Sequence, residues 1–251
     1  MTDITRVLVP IDSSNAEAIR VAFGYAKAIC ERTGTRDVVL LTHTKQQLNH
    51  TGLSNILGST TIKAFNKGPV PLPWEASLRS ETMRTMRWSS QQTVIVAYYA
   101  ESGILDFIDG LRNVAGVVAV PDLPGQGDEW AVRWNVITHG QKAQSPAQLI
   151  DDPVVVRALE TLSTVVNLST GLGRPEDRDM ANDIFRILRA KGHPDPSGQV
   201  KSWAIRRGWR PEDATDLQVL ARKIWALKNK PSLSATYNPH ERYERWRGGE
   251  S

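Results

Sequence analysis

The chain has 251 residues, 40% of them hydrophobic and 23% charged. That is the profile of a globular protein large enough for one big domain or two smaller ones. Its one cysteine, Cys30, excludes an internal disulfide framework and a cysteine-built zinc site. The net charge of +4 divides unevenly: residues 1–150 carry 14 basic and 13 acidic side chains, residues 151–251 carry 17 and 14.

The first 122 residues read as alternating strands and helices. Arg6–Ile11 is an apolar run that ends at Asp12. Ala16–Arg32 carries a helical stripe of Ile19, Ala22, Phe23, Ala26 and Ile29. Ser14 with Glu17 three residues on predicts a capping box at its start. Asp37–Thr42 is a second apolar run, Lys45–Leu57 a helix closed by Gly58, and Thr60–Phe65 a weaker strand. Residues 66–92 are broken by Pro69, Pro71 and Pro73, with a helix over Glu75–Trp88 as one reading. Thr93–Tyr99 is rich in β-branched and aromatic residues, as strands are. Ile104–Leu111 reads as a helix and Gly116–Val120 as a fifth strand. These runs are continuously apolar, which is expected of strands covered on both faces. The prediction is therefore an α/β domain over 1–122, with a five-stranded, mostly parallel, doubly wound sheet.

Residues 123–150 turn polar and rich in Gly, Pro and Gln, and read as a connecting segment or lid. Trp130 and Trp134 within it serve either as aromatic planes over a crevice or as core filler. Residues 151–230 form a predicted α-helical domain with helices over Pro153–Val166, Pro175–Ala190, Ser197–Arg207 and Pro211–Leu227. Residues 231–251 read as a tail, with Trp246 among arginines as a docking anchor. Arg174-Pro175-Glu176-Asp177 recurs as Arg210-Pro211-Glu212-Asp213. Proline suits the first helical turn, and acids there meet the positive end of the helix dipole, so both copies read as helix starts. The N-terminal residues lack the build of a signal peptide, and no apolar run approaches a membrane span of about 20 residues. The expectation is a cytoplasmic protein with no membrane partner.

In a parallel α/β sheet, ligands bind beyond the carboxyl ends of the strands. The residues there are Asp12, Ser13 and Ser14 after the first strand and His43 and Lys45 after the second. Tyr98 and Glu101 follow at Thr93–Tyr99, and Asp122 after the fifth strand. Asp12, Ser13 and Ser14 act either as helix caps or as ligand contacts. The leading expectation is a binding protein for a nucleotide or similar small polar ligand. Asp12 would take ribose or a metal, Ser13 and Ser14 an anionic group at a helix start, and Lys45 would supply countercharge. Asp12, Glu101 and Asp122 also fit a Mg²⁺ set of oxygen ligands, as in a PIN-like nuclease. His50, His139, His193 and His240 show no ligand spacing.

Val7-Leu8-Val9-Pro10-Ile11-Asp12-Ser13-Ser14, a helix with Ala22, Ala26 and Ala28, and then Val38-Val39-Leu40-Leu41 resemble the opening of universal stress proteins over residues 6–43. The resemblance implies a Rossmann-like five-stranded parallel sheet. In some members it also implies ATP binding, with the acid after strand one on the nucleoside and a late glycine- and serine-bearing loop on the phosphates. Asp12 matches the first of these elements. Ala100-Glu101-Ser102-Gly103-Ile104 departs from the second.

A second candidate lies in residues 196–230, with eight basic and three acidic side chains. Gln199–Ile224 resembles the small helix–link–helix modules of some nucleoid-associated proteins and of the SAP and LEM families. That implies DNA or RNA as a partner, with Lys201, Arg206, Arg207 and Arg210 on phosphates. The alternative is a solvated face over a mini-core of Trp203 and Trp209. A protein partner is the third possibility for the helical part.

Overall fold

The structure, a computed structural model, describes residues 4–49, 52–65, 67–87, 90–142, 145 and 147–249. His50 and Trp88 lie outside the described residues. The chain divides into two compact units, Met1–Pro146 and Ala147–Ser251.

The first unit is built on β1 (Thr5–Leu8), α1 (Ala16–Thr33), β2 (Asp37–Thr42), α2 (Lys45–Asn49), α3 (Gly52–Leu57) and α4 (Ser59–Phe65). It continues with β3 (Val70–Pro71), β4 (Ser77–Thr82), β5 (Thr93–Tyr98), α5 (Ser102–Asp109), β6 (Val114–Val120), α6 (Asp128–Trp134) and β7 (Ile137–Thr138). Among the described residues the sheet has seven strands in the order β3-β4-β2-β5-β6-β1-β7. Every neighbouring pair is parallel except β3 with β4. The expected five strands are therefore corrected to seven, and the sheet is mixed at one edge.

The central strands are apolar throughout because helices cover both faces. Ala18, Ile19, Ala22, Ala26 and Ile29 of α1 pack on Val7, Val38, Val94, Val96 and Val118, and the α2–α4 segment covers the same face with Leu48, Leu53, Ile62 and Phe65. On the other face lie Ile104, Leu105 and Ile108 of α5 and Trp130 and Trp134 of α6, over Leu8, Val39, Leu41, Ile95 and Val117. A Cβ at Gly116 of β6 would stand 2.7 Å from Ile29 Cγ2. The missing side chain is what lets α1 lie so close to the sheet.

Several local expectations are overturned. Thr60–Phe65 is helical as part of α4, because Ile62 and Phe65, three apart, turn one helical side to the core. Within Glu75–Trp88, residues Ser77–Thr82 form a strand. Its side chains alternate: Leu78 and Thr82 are buried, while Arg79 and Glu81 pair along the opposite face. Asn15, not Ser14, caps α1, its side chain accepting from the Glu17 amide. Residues 123–150 contain α6 and β7, which complete the first unit.

The second unit consists of α7 (Pro153–Val165), a short 3₁₀ turn (Gly171–Gly173), α8 (Pro175–Ala190), α9 (Val200–Arg206), α10 (Pro211–Trp225) and α11 (Pro239–Gly248). Leu159 and Leu162, Ile184, Phe185 and Leu188, Trp203, Leu217 and Ile224 are buried. Pro175 and Pro211 occupy the first turns of α8 and α10, with acids beside them, as a pair of helix starts requires. The expected tail instead holds α11. Its Trp246 is buried and donates its indole N–H to Thr161 Oγ1 at 3.1 Å, so Trp246 is a core residue of this unit and not a docking anchor. Among the described residues no helix is long and apolar enough to cross a membrane.

Candidate functional site

Strand order locates the crevice. From β2 the chain leaves towards β4 and β3 across one face of the sheet. From its neighbour β5 it leaves towards β6 across the other. Loops that depart in opposite directions leave a gap at the carboxyl ends of adjacent strands. His43 follows β2 and Glu101 follows β5, and His43 Nδ1 stands 3.4 Å from Glu101 Oε1, both side chains about half exposed.

The loops around this gap are held from below. The Tyr98 hydroxyl donates to the Ser13 carbonyl at 2.7 Å, and the Leu53 amide donates to the Tyr99 hydroxyl at 3.1 Å. The two rings meet edge to face with centroids 5.1 Å apart. Burial pushes the Tyr98 phenol up, with Tyr99 and then Asp12 adding to the effect, so it stays a neutral donor. Tyr99 has φ of +59°, a left-handed conformation that strains a bulky residue and clusters at functional sites.

Around these posts the predicted site residues separate into two kinds. Ser13 is buried and donates to Asp122 Oδ1 at 2.9 Å. Tyr98 is fully buried. Both side chains therefore hold the loops from inside the fold. Asp12, Ser14, His43, Lys45, Glu101 and Asp122 are exposed. Asp12 Oδ1 accepts from the Ser14 hydroxyl at 2.7 Å and the Ser14 amide at 2.8 Å. These bonds hold the Asp12 carboxyl below its ordinary range. The Ser13 and Ser14 hydroxyls are thus engaged with carboxylates, which moves the anion-binding role expected of them away from the start of α1. Among the described residues no three His, Cys, Asp or Glu side chains converge as a metal set, so Asp12, Glu101 and Asp122 do not form the expected Mg²⁺ cluster.

Two glutamines that sequence reasoning passed over rigidify the site. Gln47 Oε1 accepts from the amides of His43 (2.8 Å) and Thr44 (3.2 Å). Gln126 Oε1 accepts from those of Asp122 (3.1 Å) and Leu123 (3.0 Å). Each lies five or six places past a strand end and three or four past the loop amides it accepts from, and that spacing was the available signal.

At the amino ends of the same strands the polar groups are closed on one another. Asp109, at the end of α5, accepts from the Trp134 indole (2.9 Å), the Trp130 indole (3.2 Å) and Arg133 Nη1 (2.8 Å). Arg133 also holds Asp106 at 2.8 Å. The Arg6 guanidinium lies 3.8 Å from the Trp134 ring centroid. Burial pushes the Asp109 carboxyl up against the opposing pull of Trp134 and Arg133. Trp130 and Trp134 are thus core residues on this side of the sheet and not a lid. Nearby, Asp37 takes both Nε and Nη2 of Arg79 at 3.2 Å and the Thr93 hydroxyl at 2.6 Å. A shallow concavity of about 420 Å³ lies beside it, lined by Thr33, Arg36, Asp37, Ser77, Gln91 and Gln92.

In the helical unit the four candidate phosphate contacts are unequal. Arg206 donates to the Ala147 carbonyl at 3.1 Å, and burial lowers its pKa. Arg207 pairs with Glu160 at 2.7 Å and lies over the Trp203 ring. Lys201 is half-buried, and Arg210 is exposed at the start of α10. Trp203 and Trp209 are buried, with the Trp209 indole donating to Ser163 Oγ at 2.9 Å, so this stretch has the tryptophan core that was the alternative reading. His193 is no lone ring: its Nδ1 lies 2.6 Å from Asp152 Oδ2 and its Nε2 3.3 Å from the Tyr243 hydroxyl.

Residues 151–247, nearly all of the helical unit, match the family model described as Domain of unknown function (DUF1889). No curated protein matches the chain, and no solved structure does.

Proposed function

We propose that the α/β unit binds a nucleotide or a similar small polar ligand at the carboxyl ends of β2 and β5. The observation that carries this reading is the reversal of chain direction between β2 and β5, with the exposed His43–Glu101 pair across it. The strained Tyr99 beside that pair, and the two tyrosine posts beneath it, support the reading. A preorganised polar rim over a rigid floor is what a small-ligand site needs.

The exposed groups divide the work by charge. Glu101, Asp12 and Asp122 accept hydrogen bonds from ligand hydroxyl or amino groups, such as the vicinal hydroxyls of a ribose. His43 and Lys45, at the β2 end, face the anionic part. Lys45 keeps the role of countercharge, and Asp12 acts on the sugar without a metal.

The test is thermal melting of the full chain with AMP, ADP, ATP and adenosine, repeated for His43→Ala, Glu101→Gln and Arg36→Ala. A ligand at a hundredfold excess over its Kd adds about 2.7 kcal/mol to stability, a rise of several degrees. The expected result is a shift in the wild type and in Arg36→Ala that is lost in the other two. A shift that survives both of those substitutions, or is lost only in Arg36→Ala, overturns the reading.

A further inference from the structure

The charge of the helical unit is not spread evenly once it folds. Between residues 217 and 240 there are four basic side chains, Arg222, Lys223, Lys228 and Lys230, and no Asp or Glu. Between residues 184 and 194, the second half of α8 and its exit, there are Arg186, Arg189 and Lys191, again with no acid. The fold brings the two stretches together. Arg186 Nη2 donates to the Ser232 carbonyl at 2.8 Å. Arg189 donates to the carbonyls of Ile224 and Leu227, where it caps the negative end of α10. Phe185 and Trp225 meet edge to face beneath them, centroids 6.0 Å apart.

The result is one basic end of the unit, made of Arg186, Arg189, Arg222, Lys223, Lys228 and Lys230. None of the six takes part in an ion pair among the described residues. The acids that flank the α8 stretch are engaged elsewhere. Asp183 holds Arg242 at 3.5 Å and accepts from Thr236, and Asp195 accepts from the Ser197 amide. Arg222, Lys223, Lys228 and Lys230 are exposed.

We propose that this end of the helical unit binds the phosphate backbone of a nucleic acid. The two arginines on α8 fix the loop after α10 and add fixed charge. The exposed Arg222, Lys223, Lys228 and Lys230 make the phosphate contacts. Lysines act there as flexible point charges without base preference, so the binding is independent of sequence. A membrane surface is the poorer fit, because anionic lipid is held by basic residues flanking a continuous apolar face. The large apolar side chains exposed between residues 217 and 240 are Val219, Leu227 and Tyr237, eight and ten places apart in sequence, and scattered exposed residues of this kind are ordinary for a protein surface.

The basic footprint therefore lies away from the pair that stands out in sequence. Arg206 and Arg207, the most conspicuous basic pair in the sequence, are turned to Ala147, Glu160 and Trp203. The contacts fall instead on a quieter run fifteen to twenty-five residues further along.

The experiment is fluorescence anisotropy of the full chain with a labelled 20-base-pair duplex and a labelled single strand, at 50 and 200 mM salt. Four phosphate contacts on a duplex predict a loss of affinity on the order of a hundredfold over that range. The variant Lys223→Glu/Lys228→Glu/Lys230→Glu should lose binding at 50 mM and flatten the salt dependence. A control with the same charge change, Lys27→Glu/Lys63→Glu/Lys67→Glu, should keep both. Lys228→Glu alone, in the loop after α10, should weaken binding several-fold with an unchanged melting curve, so a failure of the triple variant to fold does not protect the idea. Three results overturn it: no binding by the wild type at 50 mM, equal loss in both triple variants, or binding to phosphatidylserine vesicles with none to either oligonucleotide.

Discussion

The two ends of the α/β sheet treat their polar residues in opposite ways. At the amino ends, Asp109 and Arg133 are almost wholly buried, at 1% and 3% side-chain exposure, and their charged atoms bond to Asp106 and to two indoles. Asp37, Arg79 and Thr93 form a second closed set. At the carboxyl ends the buried groups are posts, and the charged groups stay in solvent. His43 and Glu101 meet at 3.4 Å with 43% and 49% exposure. The same residue types thus serve structure at one end and remain available at the other. What separates them is burial: a buried charge must be matched by partners to be tolerated, whereas an exposed one keeps its water and can exchange it for a ligand.

That contrast is open to attack by mutation, and the largest effect belongs to the amino end. Asp109→Ala removes the most deeply buried of the carboxylates around a buried guanidinium and leaves two indole N–H groups without their acceptor. Breaking such a buried pair costs about 3–5 kcal/mol. Urea denaturation should show a fall in midpoint of matching size. A change under about 1 kcal/mol would mean that Arg6, Arg133 and the tryptophans hold together without the acid, and that the two ends are more alike than described.

The ends should also titrate in opposite senses. Burial raises the folded pKa of Asp109 above its unfolded value. Its contribution to stability therefore grows as pH falls through the folded value and is lost above it. Asp12 is lowered by its bonds from Ser14. Its contribution is present above the unfolded value and is lost as pH falls through the folded one. Carboxyl carbon shifts followed by NMR from pH 2 to pH 7 should place Asp109 above, and Asp12 below, the ordinary aspartate value of about 3.9. Coincident titrations would remove the electrostatic half of the comparison.

The smallest effect on stability belongs to the carboxyl end. Glu101→Gln breaks an exposed pair, and such pairs contribute about 0–1 kcal/mol. Its denaturation midpoint should stay within about 0.5 kcal/mol of the wild type. A loss comparable to that of Asp109→Ala would make Glu101 a structural residue and remove the ground for calling it available.

The legible parts of the fold are those whose physics is local. Asp37–Thr42, Thr93–Tyr98 and Val114–Val120 announce themselves as continuous apolar runs because helices cover both faces. Ser77–Thr82 carries Arg79 and Glu81 on one face, and its partner Asp37 is 42 residues away in sequence, so no local window shows that those charges are satisfied. β3 and β7 are two residues each, too short for any periodicity. The polar helix over Pro239–Gly248 is anchored chiefly by Trp246, and one buried position makes no stripe.

The site divides the same way. Asp12, His43 and Glu101 follow from being the first polar residues past apolar strands. That Ser13 and Tyr98 are posts does not, because each depends on a loop partner, Asp122 or Ser13, that is 109 or 85 residues away. Arg206 and Arg207 mislead for a related reason. Charge is visible in sequence, but its neutralisation by Glu160, 47 positions earlier, is not.

The most direct measurement is an amide chemical-shift map of the full chain titrated with ATP. If the carboxyl ends are the available surface, the shifts concentrate at His43, Thr44, Glu101, Ser102, Asp12 and Asp122. Shifts confined instead to Arg36, Ser77, Gln91 and Gln92, around the concavity of about 420 Å³ at the opposite ends, would contradict the account.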